Sequence, residues 1–177
     1  MKVVGIIAEY NPFHKGHQFH LSRARELSGA DYVIVVMSGN YVQRGTPAMF
    51  DKYTRAEAAL RSGADLVLEL PVSVATGSAE YFASGAVKML ADTGIVTDLC
   101  FGSECGSLMD LQKLADILAD EPEKYQILLR KYLKEGMSFP AARAHAVKDY
   151  APDLASDLLD TPNNLLGLEY LKALKRI

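Results

Sequence analysis

The sequence has no apolar run long enough to cross a bilayer, only two cysteines and no excess of basic charge. Each absence removes a class of function. Without about 20 consecutive apolar residues there is no transmembrane helix to expect. The chain opens on a strand-like run, not on a charged and then apolar leader, so a cytoplasmic protein with no membrane partner is expected. Cys100 and Cys105 lack company at zinc-ligand spacing, which points to reduced thiols near a strand end and to no metal site. A net charge of −3 gives no global basic field for nucleic acid, so an RNA partner would need a local basic patch or a further region. What is present is globular: 177 residues, 49% hydrophobic and 23% charged, enough for one domain with a sizeable core and a small appendage.

Hydrophobic periodicity divides the chain in two. Residues 2–8 (KVVGIIA), 31–37 (DYVIVVM), 65–70 (DLVLEL) and 96–101 read as short buried strands. Helical patterns alternate with them at 15–27, closed by Gly29, at about 51–61, capped by Asp51 and stopped by Gly63, and at 78–91. That alternation predicts a parallel sheet with helices on both faces. From Ser107 onward only helical signals remain, at 108–118, 122–133, 138–149 and 162–174, with Pro152 and Pro162 punctuating one connection. The expected organisation is an α/β core over residues 1–106 and a helical segment over 107–177 packing on it. The last helix carries an apolar stripe of Leu165, Leu168, Leu171 and Leu174 that needs a packing partner, and the natural chain is expected to continue beyond it.

Chemistry concentrates in His14-Lys15-Gly16-His17, an H-x-G-H element between the first strand and the first helix. Open α/β sheets bind ligands at the carboxyl ends of their strands. A helix N-terminus there adds unpaired N–H groups and the positive end of a dipole, both suited to phosphate. Gly16 admits close backbone approach. His14 and His17 are three apart and share a face of the helix start, so two imidazoles can donate to phosphoryl oxygens as charge develops. Neither has to be a nucleophile or a base, because phosphoryl-type transfer is mainly positioning and charge stabilisation. The alternatives are an incidental pair or a metal-binding pair, and no third ligand is placed to complete the latter. His20, one turn on, either contacts the nucleotide or lines the same cleft without chemistry.

Further candidates lie along the same sheet edge. In the loop 38–50, Ser38, Gly39 and Arg44 are candidate anion or substrate contacts, with Arg44 able to clamp an anion bidentately; a solvated loop is the alternative. Lys52 and Arg55 read as surface charges pairing with Asp51 or Glu57, with phosphate or an acid substrate as the sharper alternative. Gly102 either lets an adenine or ribose edge approach or simply ends the fourth strand. Asn163 and Asn164 either cap the last helix or read a base edge or ribose hydroxyl. Arg130, Lys131 and Lys134, and the group Lys172, Lys175 and Arg176, read as solvated helix faces, with RNA phosphate as the alternative partner.

Taken as longer blocks, GIIAEYNPFHKGHQFH, SGNYVQRGTPAMFDKYTRAEAAL, GADLVLELP, SAEYFASGAV, FGSE and TPNNLLGLEYLKAL resemble the bacterial tRNA(Met) cytidine acetate ligase family, within the HxGH nucleotidyltransferases. The resemblance runs across nearly the whole chain. It implies a Rossmann-like, HUP-type parallel sheet followed by helices. It implies ATP, accompanied by Mg²⁺, and acetate as reactants, acetyl-adenylate as intermediate, and transfer of the acetyl group to the wobble cytidine of elongator tRNA(Met). By motif matching it implies ATP contacts at Ile7, Ala8, Glu9, Tyr10, Asn11, Pro12, Phe13, His14, Lys15, Gly16, His17, Gln18, Phe19, His20, Gly102 and Asn163, with His14 and His17 catalytic. Family members continue past the last helix into a part that holds an ATP-contacting arginine and engages tRNA, so tRNA modification is expected to need that C-terminal region. The competing readings are another HxGH adenylyltransferase acting on a small molecule, and a non-catalytic nucleotide- or RNA-binding module.

Overall fold

Four runs of aliphatic residues pair into one parallel sheet: β1 (Val3–Ala8), β2 (Tyr32–Ser38), β3 (Leu66–Leu70) and β4 (Asp98–Cys100), in the spatial order β3-β2-β1-β4. This is the parallel α/β arrangement the strand and helix alternation predicts. A computed structural model describes residues 1–154 and 158–177. It divides into two compact units, Met1–Gly102 and Ser103–Arg176.

In the first unit the crossovers are α1 (Lys15–Ser28), α2 (Lys52–Arg61) and α4 (Ala79–Asp92), with one unforeseen turn of helix, α3 (Val72–Ala75), after Pro71. Their ends follow local chemistry. Gly29 takes the left-handed conformation (φ 63°) that closes α1, a region costly for residues with a Cβ. Asp51 caps α2 by accepting from the N–H groups of Tyr53 and Thr54.

Strand alternation sorts the side chains. Val4, Ile6, Val33, Val35 and Met37 form one buried cluster with Leu21 and Ala24 of α1 and Ala59 of α2. The opposite face meets α4: a Cβ added at Gly5 would lie 2.8 Å from Leu90. Strand order sets the site. The chain moves from β1 outward to β2 and β3, then returns to place β4 on the other side of β1. The reversal lies at the carboxyl end of β1, where doubly wound sheets bind ligands.

In the second unit α5 (Leu108–Asp120) packs with α8 (Pro162–Lys175), and α6 (Glu123–Lys134) with α7 (Phe139–Tyr150). Leu111, Leu114, Ala115 and Leu118 of α5 are buried, as are Leu168 and Leu171 of α8, so that stripe has a partner within the unit; Leu174 is exposed. The connection between Pro152 and Pro162 includes residues 155–157, which lie outside the described residues. Among the described residues no helix is long and apolar enough to cross a membrane.

Ile6 is fully buried in the central strand, so Ile6→Ala leaves a cavity under α1. Denaturant unfolding should show a loss of about 2–5 kcal/mol. A loss under half a kcal/mol would place Ile6 outside the core.

Candidate functional site

The strand-to-helix junction after β1 is built from its own side chains. His14 is the N-cap of α1, and its Nδ1 accepts from the Gly16 N–H at 3.1 Å. His17 answers: its Nδ1 accepts from the His14 N–H at 3.3 Å. The pair is a capping box made of imidazoles, in which each ring satisfies one otherwise orphaned donor. The two rings stack, with centroids 3.6 Å apart and an interplanar angle of 21°. They face each other, and His14 is exposed while His17 is half-buried.

This geometry fixes the chemistry of both rings. An Nδ1 that accepts a hydrogen bond carries no proton, so each neutral ring holds its hydrogen on Nε2. Some of the helix N–H groups expected to be unpaired are therefore engaged by the histidines, and two Nε2–H donors stand in their place. Burial pulls the His17 pKa down to about 4, with the neighbouring His14 and His20 adding to the effect. His17 is therefore a neutral donor at pH 7. Burial also lowers the pKa of His20, whose Nε2 lies 3.6 Å from Cys100 Sγ at the end of β4. The Cys100 thiol is itself pushed up by burial, and both cysteines are free thiols.

Beneath the pair sits Tyr10, with a left-handed φ of 50° that is uncommon for a residue with a Cβ. Its ring centroid is 4.9 Å from His17 and 4.9 Å from Phe13. It is 1% exposed and belongs to the core. Its ring packs against His17 and supports it. The Asn11–Pro12 peptide is cis. Ile7, Ala8, Pro12 and Phe13 are half-buried; Lys15, Gln18 and Phe19 point to solvent.

The loop 38–50 is fastened to this junction. Glu9 Oε1 accepts from the Gln43 N–H at 2.7 Å, and Asn11 Oδ1 from the Met49 N–H at 2.7 Å. At its tip Arg44 is exposed with φ 70°, inside a 3₁₀ turn. Ser38 and Gly39 are placed differently. Ser38 is fully buried, and the carbonyls of both accept from Arg55. Both therefore anchor the root of the loop that carries Arg44.

Two surface-charge expectations are corrected. Arg55 is 1% exposed and donates to the carbonyls of Phe50, Glu9, Ser38 and Gly39. It falls one helical turn before buried Ala59, and that shared face is the signal that could have revealed it. Lys52 pairs with Glu69 at 2.6 Å instead of Asp51 or Glu57, and Glu57 pairs with Arg61.

Gly102, at the end of the first unit, has nothing within 4 Å of an added Cβ. In the second unit Glu104, the last residue of the FGSE block, and the PNN block bind each other. Glu104 Oε1 accepts from the backbone N–H of Asn163 (3.1 Å) and its Nδ2 (2.9 Å), and Oε2 accepts from the Asn164 N–H (2.9 Å). Asn164 Oδ1 returns the favour to the N–H groups of Glu104 and Cys105. Desolvation opposes ionisation of Glu104, yet these bonds hold its pKa below the usual carboxylate value. Sequence reasoning missed Glu104 as the anion at the α8 N-terminus, because its partners are about 60 residues away. Lys172 is buried against Glu169 and is not a solvated helix charge, whereas Lys175 is exposed and bridges Asp116 and Asp120.

A family model described as HIGH Nucleotidyl Transferase matches residues 1–177. The tRNA(Met) cytidine acetate ligase of Acetivibrio thermocellus is 54% identical over 179 residues, covering 100% of this chain and 43% of that protein. The protein of the same name from Syntrophomonas wolfei is 50% identical, covering 99% of this chain and 43% of its own length. A crystal structure of Thermotoga maritima TmcAL bound with alpha-thio ATP superposes with a TM-score of 0.93 at 49% identity, covering 99% of this chain and 44% of that one. The chain therefore spans about half the length of the relatives it matches.

The His17 titration makes a signed prediction. Its folded pKa of about 4 lies below the ordinary 6.5, so the unfolded chain binds the proton more readily between those values. The stability that depends on neutral His17 is complete above pH 6.5 and is lost as pH falls towards 4. Nuclear magnetic resonance should place the ring's midpoint near 4, and His17→Gln should flatten that part of the stability profile. A midpoint above 6 would refute the burial. Separately, a Cβ at Gly16 would lie 2.9 Å from the His14 ring, so Gly16→Ala should unstack the pair and weaken ATP binding while leaving the helix content of circular dichroism spectra unchanged. Undiminished ATP affinity would count against the pair.

Proposed function

This chain belongs to the HIGH nucleotidyl transferase family, and on that premise we propose that it binds ATP at the α1 N-terminus and activates a small carboxylic acid as its adenylate. The observation that carries the proposal is the stacked, mutually capped pair His14 and His17, with both Nε2–H groups left to donate at the point where strand order reverses. Rings with the hydrogen on Nε2 suit the task. They can donate to the β- and γ-phosphates in the ground state and more strongly as charge builds on the departing pyrophosphate.

The acid is acetate in this reading. Its carboxylate oxygen forms a bond to the α-phosphorus in line, the bond from that phosphorus to the bridging oxygen breaks, and pyrophosphate leaves. The exocyclic amine of the wobble cytidine of elongator tRNA(Met) then attacks the acyl carbon, loses a proton and expels AMP. The names of the relatives, tRNA(Met) cytidine acetate ligase, support that acceptor. The bound alpha-thio ATP of the Thermotoga maritima protein supports the nucleotide. Exposed Arg44 is the proposed clamp for the acid or a phosphate, and Gly102 and Asn163 are proposed as further nucleotide contacts. Mg²⁺ would travel on the phosphates, since among the described residues no group of three His, Cys, Asp or Glu is placed to hold an ion by itself. Engagement of tRNA is assigned to sequence beyond these residues.

The test is exchange of labelled pyrophosphate into ATP across a panel of short carboxylic acids, with and without tRNA. Acetate-dependent exchange is expected, and His17→Ala should lower it by roughly 10²–10³ while circular dichroism stays unchanged. ATP binding with no exchange in any acid would favour a non-catalytic nucleotide module. Exchange indifferent to acetate would favour a different adenylyltransferase.

A further inference from the structure

Arg55 heads the large side chains that are fully buried, and its hydrogen bonds run to carbonyls from three separate segments. Nε donates to Phe50 O at 3.0 Å, just before α2. Nη1 donates to Glu9 O at 2.5 Å, after β1, and to Ser38 O at 3.1 Å, at the end of β2. Nη2 donates to Gly39 O. A buried cation is costly unless its donors are met, and here carbonyl dipoles meet them. Burial lowers its pKa, while the charges of Asp51, Glu9 and Glu69 counteract that.

The bond to Glu9 O has a consequence for the histidines. It fixes the peptide that leads into Tyr10, the residue with φ 50° whose ring supports His17. The bonds to Ser38 and Gly39 fix the root of the loop 38–50, which the Glu9 and Asn11 side chains fasten further along.

We propose that Arg55 is a positioning residue for the nucleotide site, locking the β1 and β2 loops into one unit and thereby setting the position of the His17 ring. The proposal rests on the reading of His14 and His17 as polyphosphate donors. Only a planar fork spans these acceptors; a lysine offers its donors from one atom and cannot reach all three segments.

The test uses Arg55→Lys and Arg55→Ala with three readouts. In nucleotide-free protein, the Gln43 and Met49 amides should exchange hydrogen faster in both variants, with α4 amides unchanged. The His17 midpoint should rise from about 4 towards 6.5 as its support shifts. ATP affinity should fall by up to about 10²-fold and, in Arg55→Ala, be restored by millimolar methylguanidine but not methylamine. Parental exchange and His17 titration in a variant whose only change is lower melting temperature would overturn the proposal and leave Arg55 a bulk stabiliser. If Arg55→Ala does not fold, Arg55→Lys carries the exchange and titration arms. If the parent itself fails to bind ATP, the nucleotide reading falls, and those two arms still decide the role of Arg55.

Discussion

Two histidine Nδ1 atoms close the first turn of α1, one on the Gly16 N–H and the other on the His14 N–H, and both rings lose their rotational freedom in doing so. A helix start always leaves N–H groups to be satisfied. Here the rings that satisfy them are those of the candidate site, so the cap and the site share two imidazoles. The cap sets the tautomer, and the tautomer leaves each ring's hydrogen on Nε2. Burial then keeps His17 uncharged across the neutral range. A serine or aspartate in place of His14 could cap the turn, but it would leave no second donor to present.

That cap would be loosely placed without the sheet under it. The return of β4 beside β1 makes the β1 loop the point of reversal, and the contact between His20 and Cys100 ties α1 to the end of β4. Tyr10 and Phe13 fill the space below His17. Arg55 reaches up from α2 to the same loop. A buried guanidinium and a left-handed tyrosine are costly local choices, and two side-chain clamps from Glu9 and Asn11 hold the loop beside them. Their concentration at one strand end is what a preorganised binding site looks like.

The second unit shows the same logic with different atoms. Glu104 supplies the negative charge for the start of α8, and Asn164 returns its amide oxygen to the Glu104 and Cys105 N–H groups. Two short motifs that look separate in sequence are one hydrogen-bonded unit. Asn163, the proposed nucleotide contact, is held by the same carboxylate through both its backbone and its side-chain amide.

The sequence by itself determined the four strands and the long helices, though not the short α3, because apolar periodicity, Gly29 and Asp51 are local signals that act within a few residues of where they stand. It also determined that the H-x-G-H segment would sit at a strand-to-helix junction, and long blocks of it carried the family resemblance. Only the tertiary structure decided that the histidines spend their Nδ1 acceptors at the start of their own helix and keep their Nε2–H donors. It alone buried Arg55, whose four acceptors come from positions 9, 38, 39 and 50, and it alone paired Glu104 with Asn163 and Asn164. The reason is separation along the chain. A charge in a helix pattern reads as solvated until the loops that surround it are folded, and a carbonyl carries no residue-type signature by which a distant guanidinium could be matched to it.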